Sequence, residues 1–510
     1  MRKILFFLSL GCAFQVNAQI PGDNIFDDAF LHEIRFENAD TNFWFTTKDY
    51  QMLNVIIDGN TVDSIGMKRK GNISQYPSTH KYAIKVKTNK YVLGKYYDGI
   101  KEFTLHMNFQ DPTMLREKLT YDICEEMGLF SLRTAFAKVY INNVYWGLYT
   151  LVEGKDEMYK HQFGNRSSDA IESLDFGDMC YHGSAISEYD VDDPGNFWPR
   201  YEFSNGDPNT AWPNFISMLD KANNTPNGQY MDTVPNYLNL KDFFRYQAVN
   251  VYLMNFDSYI SLKGNQIYVF DSLANKWQVT PWDFNASFGL WETNNYQAST
   301  YPMFPNSITG GCIASKLNDF PVLKNDYLDA MCELSQLVCD TNNLYAKIDQ
   351  WKAQIQQAVY NDNRKMASNA DFDNGLEFGY YNYSAFSLTN VPALKTLIRT
   401  RYNLISQALI TAGYTCTVGT PEPLQNKALT LYPNPVQETL TLELELDAAL
   451  AIDIRVTDLL GKTVGTIANE VANPGMNRYS WDSSAVPNGI YLVKIVAGEA
   501  IQTHKIIVNH

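Results

Sequence analysis

The 510-residue chain predicts an α+β protein followed by a small β-sandwich. Three observations carry this. Strand-like alternation dominates up to about residue 149, apolar residues three and four apart dominate residues 320 to 412, and short alternating strands return after residue 427. A hydrophobic content of 45%, with 14% aromatic residues, supplies a large core, and the length calls for two or three globular units.

The N-terminus joins Arg2 and Lys3 to an apolar run from Ile4 to Leu10 and a small-residue pattern, Val16-Asn17-Ala18. This is the form of a signal peptide over residues 1–18. The run is far shorter than the ~20 residues of a membrane helix. A lipoprotein reading at Cys12 is weakened by Ser9, where a larger aliphatic residue is usual. No later segment offers a spanning run, so the expectation is a secreted or cell-surface protein with no transmembrane segment. A net charge of −15 argues against a nucleic-acid partner, because phosphate neutralisation needs clustered cations and the one basic run is Lys68-Arg69-Lys70. Cysteines are too sparse for a disulfide scaffold; Cys332 and Cys339, seven apart, fit either buried thiols or a bridge. With no CxxC and no HExxH, zinc chemistry is not expected.

From Phe26 to Tyr149 the runs EIRFE, LNVIID, YAIKVKT, EFTLHMNF and TAFAKVYINNVYWGLYTLVE read as strands of a mostly antiparallel sheet, with Asn142-Asn143 as a hairpin turn. One helix interrupts them at about 112–127, where Leu115, Leu119, Ile123 and Met127 recur at fours and Gly128 stops it. Residues 155 to 235 are rich in Asp, Asn, Gly and Pro and read as loops and short helices. The run DFFRYQAVNVYLM is a helix whose end delivers Asn255 and Asp257 to a loop. Three more helices follow between 320 and 412. The expected division is a domain over 19–414, a linker over 415–427 and a sandwich over 428–510.

Two carboxylates bracket a predicted hairpin: Asp257 precedes the run NQIYVF and Asp283 follows WQVTPW. One such group can accept a proton from an attacking hydroxyl while the other holds Mg²⁺ against phosphate oxygens, and Asn265 supplies a neutral oxygen for the same ion. Taken singly, each reads as a turn residue.

An ordered series of segments makes the joint pattern specific. It runs through Lys70-Gly71-Asn72-Ile73-Ser74, Tyr82-Ala83-Ile84-Lys85-Val86 and Leu115-Arg116-Glu117-Lys118-Leu119, then Tyr145-Trp146-Gly147-Leu148-Tyr149 and Leu151-Val152-Glu153. It closes with Tyr201-Glu202-Phe203, Asn255 to Tyr268 and Pro281-Trp282-Asp283-Phe284-Asn285. Over roughly residues 26 to 400 the chain resembles the CotH family of atypical, spore-coat-type protein kinases. The resemblance implies a kinase-like domain with a strand-rich N-terminal part and a helical C-terminal part. It also implies transfer of the ATP γ-phosphate, with Mg²⁺ or Mn²⁺, to Ser or Thr of a secreted or surface protein. Carried over by position, Asp257 is the catalytic Asp, Asp283 and Asn265 are the metal ligands, Lys85 is the phosphate-binding Lys with Glu117 as its partner, and Glu153 lies at the adenine hinge. Lys81 and Lys87 share the face of Lys85 by period two, and a solvated lysine face is the other reading of all three. Two departures stand out: Asn285 replaces a usual acidic residue, and Lys70 stands where Arg is common. The competing function is a catalytically inactive surface module that binds protein or glycan. The tail, through Leu431-Tyr432-Pro433-Asn434-Pro435, Asp458 to Lys462, Pro487-Asn488-Gly489-Ile490-Tyr491 and Lys505-Ile506-Ile507-Val508, resembles the sorting domain of the type IX secretion machinery, which would then be a partner.

Overall fold

The computed structural model describes residues 21–76, 80–162, 169–173, 176–190, 200–261, 264–290, 297–339, 341–383, 385, 387–416, 429–446, 450–458, 463–497 and 500–510. The expected signal peptide and most of the expected linker lie outside them. The chain divides into two compact units: Met1–Leu334 with Leu344–Ile405, and Ser335–Asn343 with Ser406–His510.

In the first unit seven strands close into a barrel. His32–Glu37, Gln51–Ile57, Asn60–Tyr76, Lys81–Lys87, Glu102–His106, Thr134–Ile141 and Val144–Glu153 each present alternate apolar residues to one core, among them Ile34, Val55, Met67, Val86, Leu105 and Leu151. Asn142 and Asn143, at φ 51° and 63°, make the two-residue turn that pairs Ile141 with Val144. The sheet is mostly antiparallel, as expected, with one parallel joint. His32–Glu37 pairs parallel with Thr134–Ile141, and this pair closes the sheet on itself.

The inserted helix spans Arg116–Glu126 and ends as expected. Gly128 takes φ 74°, and the Leu129 amide donates to the Cys124 carbonyl at 2.9 Å. A correction concerns residues 155 to 235. Beside helices Lys155–Gln162 and Pro208–Asn224 they hold two short strands, Ala170–Ser173 and Tyr201–Asn205. These complete a four-stranded sheet with the hairpin Gln266–Asp271 and Lys276–Pro281. Helices Leu240–Tyr252, Pro321–Glu333, Thr341–Asn361 and Leu394–Thr411 form the helical part, and a small hairpin, Tyr380–Tyr383 with Leu388–Pro392, lies within the stretch expected to be largely helical. Cys180 and Cys312 form a disulfide that encloses the 255–289 segment in sequence.

The second unit holds a three-stranded and a four-stranded sheet. Leu440, Leu442 and Leu444 of one and Ile454, Val456, Val493 and Ile495 of the other enter a single buried cluster. Among the described residues no helix is long and apolar enough to cross a membrane.

Candidate active site

One hairpin explains why an aspartate precedes and another follows the same pair of strands. Helix Leu240–Tyr252 starts at Asn239, whose side chain accepts from the Asp242 amide at 3.2 Å. It stops where Met254 takes φ 50°. The Asn255 amide donates to the Asn250 carbonyl at 2.9 Å, and the Ser258 hydroxyl donates to the Asn255 carbonyl at 2.7 Å, which fixes the backbone on both sides of Asp257. On the hairpin Gln266 lies opposite Pro281, so Asn265 and Trp282 leave its open end side by side, with Asp283 one residue on. The Asn265 carboxamide nitrogen donates to the Asp257 carbonyl at 2.9 Å. The buried Tyr246 hydroxyl lies 3.4 Å from the Asn265 carbonyl and also hydrogen-bonds to the Trp282 backbone, tying the two loops together. Asn265 and Asp283 sit at φ 54° and 53°, a conformation Asn and Asp adopt more readily than other side chains. Asp257, Asn265 and Asp283 are all half-buried and keep some solvent exposure.

The barrel supplies a second set of groups. Pairing between Asn60–Tyr76 and Lys81–Lys87 is interrupted between Lys70 and Gln75. Lys70 Nζ, at the start of this irregularity, donates to His106 Nε2 at 2.6 Å, and His106 Nδ1 donates to Glu117 Oε1 at 2.7 Å. That polarity needs a neutral imidazole with its proton on Nδ1. Burial, reinforced by the Lys70 charge, pushes the His106 pKa well below its usual 6.5 and keeps the ring neutral. Burial likewise pushes the Lys70 ammonium down, with Lys155 adding to it, and pushes the Glu117 carboxyl up. Asp283 is raised by burial and then by the Glu117 carboxylate. Trp282 joins these groups: Lys155 Nζ lies 3.9 Å and Lys70 Nζ 4.6 Å from its ring centroid, and the His106 ring meets it edge-on at 6.0 Å. The Asp283 amide donates to the Tyr121 hydroxyl at 3.2 Å, and the Thr120 and Ser287 hydroxyls are 2.8 Å apart. The helix that carries Glu117 therefore also docks the Asp283 loop.

Residues 67–405 match the CotH kinase protein family. The chain belongs to that family. Curated CotH relatives include the inner spore coat protein H of Bacillus subtilis, 25% identical over 197 residues, which are 38% of this chain and 52% of the relative. Invasin CotH7 of Rhizopus delemar is 24% identical over 245 residues, 45% of this chain and 38% of the relative. Spore coat protein homolog 1 of the same fungus is 24% identical over 236 residues, 44% of this chain and 36% of the relative. The chain thus spans about half or less of the length of these CotH relatives. Residues 430–509 match the secretion system C-terminal sorting domain.

The CotH site residues expected from sequence fall into two groups. Asp257 and Asn265 are joined through the Asp257 backbone carbonyl, and strand register puts Asn265 and Asp283 at the same open end of the hairpin. Lys85 and Glu117 do not form the expected pair. Lys85 Nζ instead lies 2.9 Å from Glu102, which Lys87 shares at 2.9 Å, and Lys81 is buried against Asp362 at 2.6 Å. Lys70 reaches Glu117 through His106 in their place. Glu153, at the end of its strand, is buried in an ion pair with Arg133 at 2.6 Å. Asn285 donates to the Phe109 carbonyl at 2.7 Å, a bond an ionised carboxylate there would lack. His106 and Lys155 were missed; their only sequence signals were a polar residue ending a strand and a Lys following Glu153-Gly154.

Proposed function

We propose that this chain is an exported CotH-type protein kinase that transfers the ATP γ-phosphate to a Ser or Thr hydroxyl of a secreted or surface protein. The observation that supports the reading is the placing of Asn265 and Asp283 at one hairpin end, with Asn265 bonded to the Asp257 backbone and the Asp283 loop docked on the helix that bears Glu117. Asp257 would orient the acceptor hydroxyl and take its proton. Asn265 commits its nitrogen to the Asp257 carbonyl and keeps its oxygen as a donor, which together with the Asp283 carboxylate would hold Mg²⁺ or Mn²⁺. Such an ion, when bound, neutralises charge on the phosphate oxygens. Glu153 opens the connection from the barrel to the helical part, where an adenine can lie. The kinase-like architecture, a barrel-bearing front with a helical back, and the pairing of the two tail sheets as a β-sandwich belong to the same reading. The signal-peptide pattern of residues 1–18 and the match to a sorting domain support export through the type IX secretion machinery.

A second reading, a catalytically inactive surface module for protein or glycan, draws on a separate place. A cavity of about 350 Å³ is lined by Asn214, Asp232, Asn236, Tyr237 and Phe270. One assay divides the two. The purified protein with labelled ATP and Mg²⁺ or Mn²⁺ is expected to label itself or a casein-like acceptor, and Asp257→Ala or Asp283→Ala to lower that labelling by about 10²-fold or more. Labelling unchanged in both variants ends the kinase reading.

A further inference from the structure

Nothing in this sequence supplies a glycine-rich loop to cradle phosphates, yet a triphosphate brings several negative charges that a kinase must meet with fixed donors. We propose that Lys70 and Lys155, both set against the ring of Trp282, form a two-ammonium clamp for the phosphates of the bound nucleotide. This rests on the kinase reading and reassigns its phosphate-binding group.

The surroundings of each lysine decide between candidates. Lys85 and Lys87 are spent on one carboxylate, Glu102, and Lys81 is buried against Asp362. Among the described residues no carboxylate lies within ion-pair distance of Lys70; its hydrogen-bond partner is the neutral His106 ring at 2.6 Å. A half-buried ammonium held by a neutral acceptor keeps its charge available for an anion. Lys155 pairs with Glu172, which also accepts from Ser204, so one of its three N–H donors is fixed and the ammonium is aimed. Glu172 offsets one of the two ammoniums on this indole, which leaves a net positive charge there for an anion. Trp282 is the residue before Asp283, so a phosphate gripped there sits beside the carboxylate assigned to the cation. His106 acts as a positioning residue, since it holds Lys70 and is itself held by Glu117 at 2.7 Å.

The test uses the full chain and equilibrium binding with three probes: a non-hydrolysable ATP analogue, adenosine and inorganic tripolyphosphate. Lys70→Met and Lys155→Met are each expected to weaken the analogue about tenfold or more and to leave adenosine unchanged. Tripolyphosphate is expected to compete in the wild type but not in the double variant. Lys70→Arg should retain most binding, which separates lost charge from lost fold, and Lys85→Met should bind like wild type. If the wild type binds the analogue and both Met variants bind it equally well, the clamp is wrong and the kinase reading stands. If the wild type binds tripolyphosphate, in a Lys70- and Lys155-dependent way, but neither adenosine nor the analogue in preference, the clamp stands and the kinase reading falls. Binding of none of the three overturns both.

Discussion

Glu172 owes its ionisation to two neighbours. Burial pushes its carboxyl up, but the Lys155 ammonium and the Ser204 hydroxyl outweigh that and hold it below the usual 4.5. A carboxyl lowered in the folded state contributes stability above the unfolded pKa and loses it as pH falls through the folded value. Glu172→Gln should therefore cost about 1–3 kcal/mol at pH 7. The gap from wild type should hold above pH 4.5 and narrow as pH falls below it, which thermal melts on both sides of that value can check. At this scale the sequence exposed the aspartates and Asn265, because a helix end and a hairpin place them by local rules alone. It misled on Lys85. Period two puts Lys81, Lys85 and Lys87 on one face, but their partners, Asp362 and Glu102, come from other elements, and the irregularity after Lys70 cannot be read from alternation.

Elements from distant parts of the chain fix the site from behind. Helix Arg116–Glu126 is held from outside by helix Thr341–Asn361, where Lys118 Nζ lies 4.4 Å from the Trp351 ring and Lys347 pairs with Glu126. The barrel is tied to the end of the same helix by Asp362, which accepts from Lys81 Nζ at 2.6 Å and from the Leu148 amide at 3.1 Å. Gly147 leaves room for that carboxylate. It has φ 131°, and a Cβ there would lie 2.3 Å from Asp362 Oδ2. Gly147→Ala should cost about 2–4 kcal/mol, from backbone strain plus the clash, and a denaturant melt with unchanged slope would show it. The helices and the Asn-Asn hairpin were legible because their signals are local and long. Strands Ala170–Ser173 and Tyr201–Asn205 were not, being four and five residues long in a polar stretch. They exist because Gln266–Asp271 offers an edge to pair with.

Each unit of the whole molecule has its own core, and the barrel cluster shares no residue with the tail cluster. Calorimetry should resolve more than one transition, and Ile454→Ala, at a fully buried tail position, should lower one by about 2–5 kcal/mol while the other stays in place. A single transition moved as a whole by that change would refute independent cores. The barrel has a further consequence for how this chain comes to be folded. Its first strand finds its parallel neighbour only after about a hundred intervening residues, so as the chain emerges and folds His32–Glu37 waits with one bare backbone rim until Thr134–Ile141 arrives. Folding of the front half is therefore slow to commit and vulnerable to sticking in that interval, and a holding chaperone that recognises extended, unpaired backbone would find its target there.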